Sequence, residues 1–384
     1  MGAAGFTNLG DDAILSAMLA ELREALPGAR FTVACGAPER IAEAHGVETI
    51  AVLEIRAIDA AVARADLTIV GGGGFVYDYA GIISPYEFLR GDVTWMFPYY
   101  RAAICARVRD VPVYFYAIGV DSLVTPAGRA LTRDVLSLAS AITVRDPLSL
   151  LELRRAGVRC PVVELTADPA VRIPPPTNGW DARPPGRVVA FVTRQWPRFT
   201  GKWTKSALQH YDTYVGWLAS GADHAVEAWG ATPVFLPGQQ YNDPDLESAA
   251  LVVERMTHGG RAVLAADVVD EERYRAVFTG ADAVVSSRLH PLILGASADV
   301  PIVGIAITEK VRAFMARLGV EGQLVSPWAA SAPQLRHCLD RALGDPEPIR
   351  ARVRSGLEQQ RSAAARNPAL AAELLAASAG PRGG

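Results

Sequence analysis

Lysine is nearly missing from this chain. Of its 38 lysines and arginines only Lys202, Lys205 and Lys310 are lysine, so 35 are arginine. With 34 glycines and 26 prolines, the bias is that of a GC-rich genome exchanging lysine for arginine wherever the fold tolerates it. The survivors mark either chance or positions where a flat guanidinium does not replace a compact ammonium. Cysteine is also scarce: Cys35, Cys105, Cys160 and Cys338 form neither a disulfide framework nor a CxxC metal pattern, and read as reduced, mostly buried thiols. No apolar run is long enough to cross a bilayer. The start shows no charged, apolar and cleavage regions of a secretory signal, so a cytoplasmic protein is expected. A formal charge of −3 without a basic tail argues against a dedicated nucleic-acid binder.

What is present is alternation. The 384 residues exceed one ordinary domain, and half are hydrophobic, as in a folded soluble protein. Apolar runs at 31–36, 67–70, 112–118 and 141–145 read as strands buried on both faces, with helical patterns at about 12–26, 38–45, 55–65, 92–109, 126–139 and 147–156. Residues 174–186 hold five prolines and read as a linker. Beyond it the pattern restarts, with strands at 187–193, 233–236, 262–265, 283–287 and 301–306 and helices near 206–229, 244–258, 270–280, 291–298, 309–318 and 332–343. The expectation is an α/β chain of two Rossmann-like domains, 1–173 and 187–345, facing a central cleft at the carboxyl ends of both sheets. A helical tail, 346–384, is expected to pack across them. A doubly wound domain opens on a strand, whereas this chain runs from Met1 straight into GAAGFTNLGDDAIL, so a first strand is expected to be lacking.

Three segments carry candidate chemistry. Gly5-Phe-Thr-Asn8-Leu-Gly10-Asp11-Asp12 leads into a helix; it is not GxGxxG, and it reads either as a capped turn or as a substrate site offering backbone N–H groups and a carboxylate base. Gly71–Gly74 follow the strand LTIV and read as a sharp turn or a close approach to ligand, and the aromatics after them (Phe75, Tyr77, Tyr79, Tyr86, Phe88, Trp95, Phe97, Tyr99, Tyr100) read equally as an acceptor wall or as core. The third group is basic. Arg145 and Arg288-Leu289-His290 end strands before Asp-Pro and Pro helix starts, Lys310 lies one turn into a helix with Thr308 as its cap, and Arg194 ends the first strand after the linker. Each has an ordinary surface or capping explanation. Together they deliver cations to the same edge of two sheets, beside helix N-termini that favour anions, and imply a small, highly charged anion.

NLGDDAIL, IVGGGG, TVRDPLSLLELRRAGV, LTADPA, SRLHPLILGA and PIVGI…EKVRAFMARLGV, in this order from about Gly5 to Val320, resemble the polysaccharide pyruvyl transferase family. The resemblance implies a GT-B-like fold, phosphoenolpyruvate as donor, and transfer of its enolpyruvyl unit to a sugar, usually as a cyclic pyruvate ketal with phosphate release. No metal-ligand spacing is visible in the sequence, so neither a metal nor a cofactor is expected. By matching motif, Arg145, Arg288, His290 and Lys310 would hold phosphoenolpyruvate, with Arg194 beside them. Arginine takes carboxylate or phosphate through paired hydrogen bonds, lysine supplies a point charge, and histidine moves protons near neutral pH. His290 is assigned general-acid work at C3 or at the leaving phosphate, supported by Arg288. Candidates for the acceptor base are Asp12 or Asp11, with Asp168 and Asp243 as others, each of which also reads as a turn or cap residue.

The sequence departs from the family pattern at the missing first strand, at Val-Asp after YAIG, and at Trp196–Tyr211, an insertion carrying Lys202 and Lys205. The acceptor is assigned to Asn8, Asp11, Gly73, Gly74, Lys202 and Lys205; it is a sugar-containing molecule, nucleotide-, lipid- or natural-product-linked. Two other readings share the fold: a glycosyltransferase using a nucleotide sugar, and a non-catalytic relative that binds an anion. Oligomeric state is not legible.

Overall fold

The computed structural model describes residues 4–6, 8–78, 96–196, 204–239, 245–327 and 331–378. The chain forms two compact units, one from residues 1–6, 11–173 and 360–384, the other from residues 7–10 and 174–359. Among the described residues every pairing between strands is parallel.

In the first unit, β1 (Thr32–Cys35) and β2 (Glu48–Ala51) pair with each other. A separate four-stranded sheet runs in sequence order through β3 (Thr68–Val76), β4 (Val113–Val120), β5 (Ala141–Val144) and β6 (Val163–Leu165). All eight residues of β4 are buried, which is why VYFYAIGV is apolar without alternation. Among the described residues no strand precedes Thr32.

The glycine run differs from the expected turn. Gly71–Gly74 lie inside β3, whose register against β4 shifts between Gly73 and Val76. A Cβ on Gly71 would come 2.8 Å from the Tyr116 Cβ, and one on Gly72 would come 2.6 Å from the Met18 sulfur. Gly72 and Gly73 also take φ of +71° and +110°, conformations that side chains disfavour. The glycines therefore let β4 and the helix Leu9–Ala25 close on β3 from both sides. Of the described aromatics that follow, Phe75, Phe97, Tyr99 and Tyr100 are buried, with the Phe75 and Tyr99 rings 4.2 Å apart, whereas Tyr77 is only partly buried. Tyr79, Tyr86, Phe88 and Trp95 lie outside the described residues.

In the second unit six strands run in the order β12-β11-β10-β7-β8-β9, with β7 at Val188–Val192, β8 at Thr232–Phe235, β9 at Val263–Leu264, β10 at Ala283–Ser286, β11 at Ile302–Ile305 and β12 at Leu324–Val325. Helices Lys205–Trp229, Asp245–Arg255, Glu271–Thr279, Leu289–Ser297 and Glu309–Arg317 are interleaved with them. Thr204 caps the first of these by accepting the Ala207 N–H at 3.2 Å. Residues 174–186 contain no helix or strand.

The tail is two helices, Glu347–Ala364 and Arg366–Ser378. The second packs on the first unit's sheet. Asn367 is fully buried, its carbonyl accepts the Tyr114 hydroxyl at 3.2 Å, and its side-chain oxygen accepts the Thr166 hydroxyl at 2.8 Å. Among the described residues no helix is long and apolar enough to cross a membrane, and no cluster of three or more His, Cys, Asp or Glu is arranged to hold a metal ion.

Candidate functional site

The second unit's candidate site grows from the carboxyl ends of three adjacent parallel strands, β10, β7 and β8. Arg288 follows β10 and takes the N-cap position of the helix Leu289–Ser297. Ser286 pins its main chain, accepting the Arg288 N–H and donating to the Arg288 carbonyl, both at 2.9 Å. The Arg288 guanidinium donates from Nε and Nη2 to the two oxygens of Asp245 at 2.7 and 2.6 Å, while Nη1 lies 3.4 Å from Gln239 Oε1. The fully buried Asp245 also accepts the Gly238 and Gln239 N–H groups at 2.8 and 2.9 Å. Four donors, two of them charged, compensate a carboxylate that water does not reach.

Arg194 follows β7 and is buried; its N–H is accepted by the Tyr214 hydroxyl at 3.3 Å, and that hydroxyl donates to Ser287 Oγ. Burial raises the Tyr214 phenol well above its ordinary range, so it stays a neutral hydroxyl. His290 is the second residue of the helix Leu289–Ser297 and is partly buried. Lys310 is the second residue of the helix Glu309–Arg317 after β11. Thr308 takes the N-cap position there but makes no side-chain capping bond, contrary to the expectation from sequence.

Residues 7–10 group with this unit. Asn8 forms an antiparallel bridge with Gln239, Leu9 N–H donates to the Gly238 carbonyl at 3.2 Å, and the Asn8 side chain accepts the Gly10 N–H at 3.1 Å. Gly10 abuts the His290 ring. The Asn-Leu-Gly of NLGDD is thus fitted to the loop that faces Arg288 and to His290.

In the first unit, Asp146 caps the helix Pro147–Ala156 by accepting the Ser149 N–H at 2.8 Å, with proline next as its sequence implies. Arg145 is buried and donates to Asp168 at 2.6 Å. Burial works against its charge, but Asp168 and then Asp146 outweigh it and hold the guanidinium above its ordinary value. A Cβ on Gly119 would come 2.9 Å from Arg145 Nε and Nη2, so glycine there admits the arginine. Asp168 also accepts the Ala170 N–H at 3.0 Å. It stands as Arg145's counter-charge and as the cap of the short helix Pro169–Arg172.

Asp12, a candidate base, is 2 % exposed; its carboxylate accepts the Gly5 N–H at 2.7 Å and pairs with Arg40 at 2.8 Å, tying the N-terminal turn to the helix Pro38–His45. Asp11 lies beside Gly73, where an added Cβ would come 3.1 Å from its carboxylate; Gly74 approaches Gly119. Nearby, Glu21 accepts the Tyr116 hydroxyl at 2.8 Å and pairs with Arg172 at 2.6 Å. Burial pushes its carboxyl up to about 7 against the lowering by these two partners. Lys205 is exposed at the first position of the helix Lys205–Trp229, whereas Lys202 and Asp243 lie outside the described residues.

Asp245, Gln239 and Thr193 were not picked out from sequence. Asp245 stands two positions after Asp243 in GQQYNDPD, and the available signal was an acidic residue at the start of a helical pattern.

The fold is that of GT-B-type glycosyltransferases and sugar epimerases. It is similar to the UDP-GlcNAc 2-epimerase of Neisseria meningitidis bound to UDP-GlcNAc (TM-score 0.61, 10% identity, covering 95% of this chain and 96% of that one). It is also similar to HepE of Anabaena in complex with UDP (TM-score 0.56, 12% identity, 94% and 96%) and to the spinosyn rhamnosyltransferase SpnG (TM-score 0.50, 14% identity, 95% and 96%). No curated protein matches the sequence significantly. The family model for polysaccharide pyruvyl transferase matches residues 8–309. The chain belongs to that family and is a transferase.

Proposed function

We propose that the chain transfers the enolpyruvyl unit of phosphoenolpyruvate to hydroxyls of a sugar-containing acceptor, closing a pyruvate ketal and releasing phosphate. The observation that supports this most is the distribution of cations in a member of this family. Arg194, Arg288, His290 and Lys310 all follow the carboxyl ends of β7, β10 and β11, neighbours in one parallel sheet, where ligands of such sheets gather.

The chemistry needs C3 of the donor protonated, C2 attacked by one acceptor hydroxyl and then a second, and the C2–phosphate bond broken. Of the two hydroxyl protons, one ends on C3 and one on phosphate. Arg145, Arg288 and Lys310 are assigned to the donor's anionic groups, with Arg194 beside them. His290 supplies the proton at C3 or at the departing phosphate. Asn8, Asp11, Gly73, Gly74, Lys202 and Lys205 are assigned to the acceptor. No cofactor or metal is required, and the reaction belongs in the cytoplasm. Residues 1–173 are assigned chiefly to the acceptor and 187–345 chiefly to phosphoenolpyruvate, with 346–384 as a helical tail.

Incubation with phosphoenolpyruvate and a panel of sugar acceptors tests the reading by phosphate release and product mass. Acceptor-dependent phosphate with a pyruvate-sized mass gain supports it. Turnover of a nucleotide sugar with phosphoenolpyruvate inert overturns it.

A further inference from the structure

Asp245 has no place in the chemistry above, yet it joins the ends of three strands. Its carboxylate receives Arg288 after β10 and the Gly238 and Gln239 N–H groups after β8, while its main-chain carbonyl accepts the Thr193 hydroxyl after β7 at 3.0 Å. It opens the helix Asp245–Arg255, where a carboxylate also suits the helix dipole. The contact with Arg288 is two-pronged, which fixes both the position and the plane of the guanidinium. Gly238 is shaped to permit it: a Cβ there would come 2.7 Å from both the Arg288 Cδ and the Asp245 carboxylate.

We infer that Asp245 is a positioning residue for pyruvyl transfer: by engaging Nε and Nη2 it orients the guanidinium of Arg288, so that the Nη1 side, toward Gln239, faces the donor's anionic group. The inference rests on the proposed donor reading. An arginine on a mobile stem searches many geometries, and one clamped on one edge presents a single geometry without reorganisation during the reaction. The clamp also cancels part of the positive charge, so the site is tuned for an anion in one pose and not for tight binding of any anion.

The test combines Asp245→Asn, Arg288→Ala and the double variant, each measured for kcat and KM with phosphoenolpyruvate. Asp245→Asn is expected to lower kcat at least about tenfold, the scale on which groups that orient ligand-holding side chains act, with KM changed less. The double variant is expected to be no worse than Arg288→Ala alone, because both changes remove one device. Additive losses overturn the inference, as does an Asp245→Asn loss confined to KM. Should Asp245→Asn not fold, Gly238→Ala separates the pair by sterics with both charged groups kept, and wild-type kcat in that variant overturns the inference.

A readout independent of turnover is the NMR signal of the Arg288 Nε–H, assigned by its loss in Arg288→Ala. It is expected to be protected from solvent exchange in the wild type and unprotected in Asp245→Asn. Wild-type protein inert toward phosphoenolpyruvate with that difference present sinks the donor reading and leaves the clamp standing. Equal exchange in both proteins sinks the clamp.

Discussion

Gly10 lies against the imidazole of His290 so closely that a Cβ at position 10 would come within 2.7 Å of the His290 Cβ and closer still to its ring. Because the clash includes the histidine's Cβ as well as its ring, a rotamer change alone does not relieve it. Gly10→Ala is therefore expected to displace His290 and lower kcat about 100-fold, the cost of an ångström-scale misplacement of a reacting group. Steady-state kinetics beside His290→Ala checks this, with thermal unfolding to confirm the fold. Full activity in Gly10→Ala would separate this contact from the chemistry.

Lys310 tests whether the scarcity of lysine is meaningful. It is the second residue of the helix Glu309–Arg317, after β11. Lys310→Arg keeps the charge but replaces a compact ammonium with a broad planar fork. The expected outcome is a fall of about tenfold or more in kcat/KM for phosphoenolpyruvate, about 1.4 kcal/mol of transition-state stabilisation, with an unchanged melting temperature. Kinetics equal to wild type would return this lysine to chance.

The Arg145–Asp168 pair is buried on both sides. Asp168→Asn leaves a guanidinium without its counter-charge and is expected to cost about 3–5 kcal/mol in urea unfolding. Adding Arg145→Met to that variant removes the stranded charge and should recover much of the loss. A single-variant cost below about 1 kcal/mol would show that solvent reaches the site.

Glu21 makes the first unit sensitive to pH. Its carboxyl is raised from an ordinary 4.5 to about 7, first by burial, so the folded state favours the protonated form. A raised value stabilises fully below the unfolded value and loses that contribution as pH climbs through the folded one. Stability should thus decline between about pH 4.5 and 7, by on the order of 3 kcal/mol. In Glu21→Gln this decline is absent, so chemical denaturation at pH 5 and pH 8 should show the variant gaining on wild type at the higher pH. An equal difference at both values would exclude Glu21 as the titrating group.

Where residues are buried on both faces, sequence and structure speak the same language. The run 187–193 contains β7, 283–287 contains β10, and the helix expected at 206–229 runs Lys205–Trp229. β2, β6 and β12 have no counterpart among the apolar runs read from sequence. β2 has no fully buried residue and β6 carries exposed ones, so neither shows an apolar run. Gly71–Gly74 misled for a physical reason: glycine signals close backbone approach, and here the approach is by β4 and a helix within a strand instead of at a turn. That Arg288 and His290 follow a strand was readable from SSRLHP, because strand and helix signals meet there. The partners were not. Asp245 is 43 positions from Arg288 and Asp168 is 23 from Arg145, and pairing at such separations is written in the topology, not in local pattern.

Asn367 gives the chain a timetable. Tyr114 and Thr166 belong to strands and loops made early in synthesis, but their buried hydrogen-bond partner is made 253 and 201 residues later. The first unit to leave the ribosome is thus the last to be finished: the part of its sheet around Tyr114 and Thr166 waits for its cover through the whole translation of residues 174–359. A nascent or prematurely ended chain would carry its exposed surface at the front, far from where the break occurred.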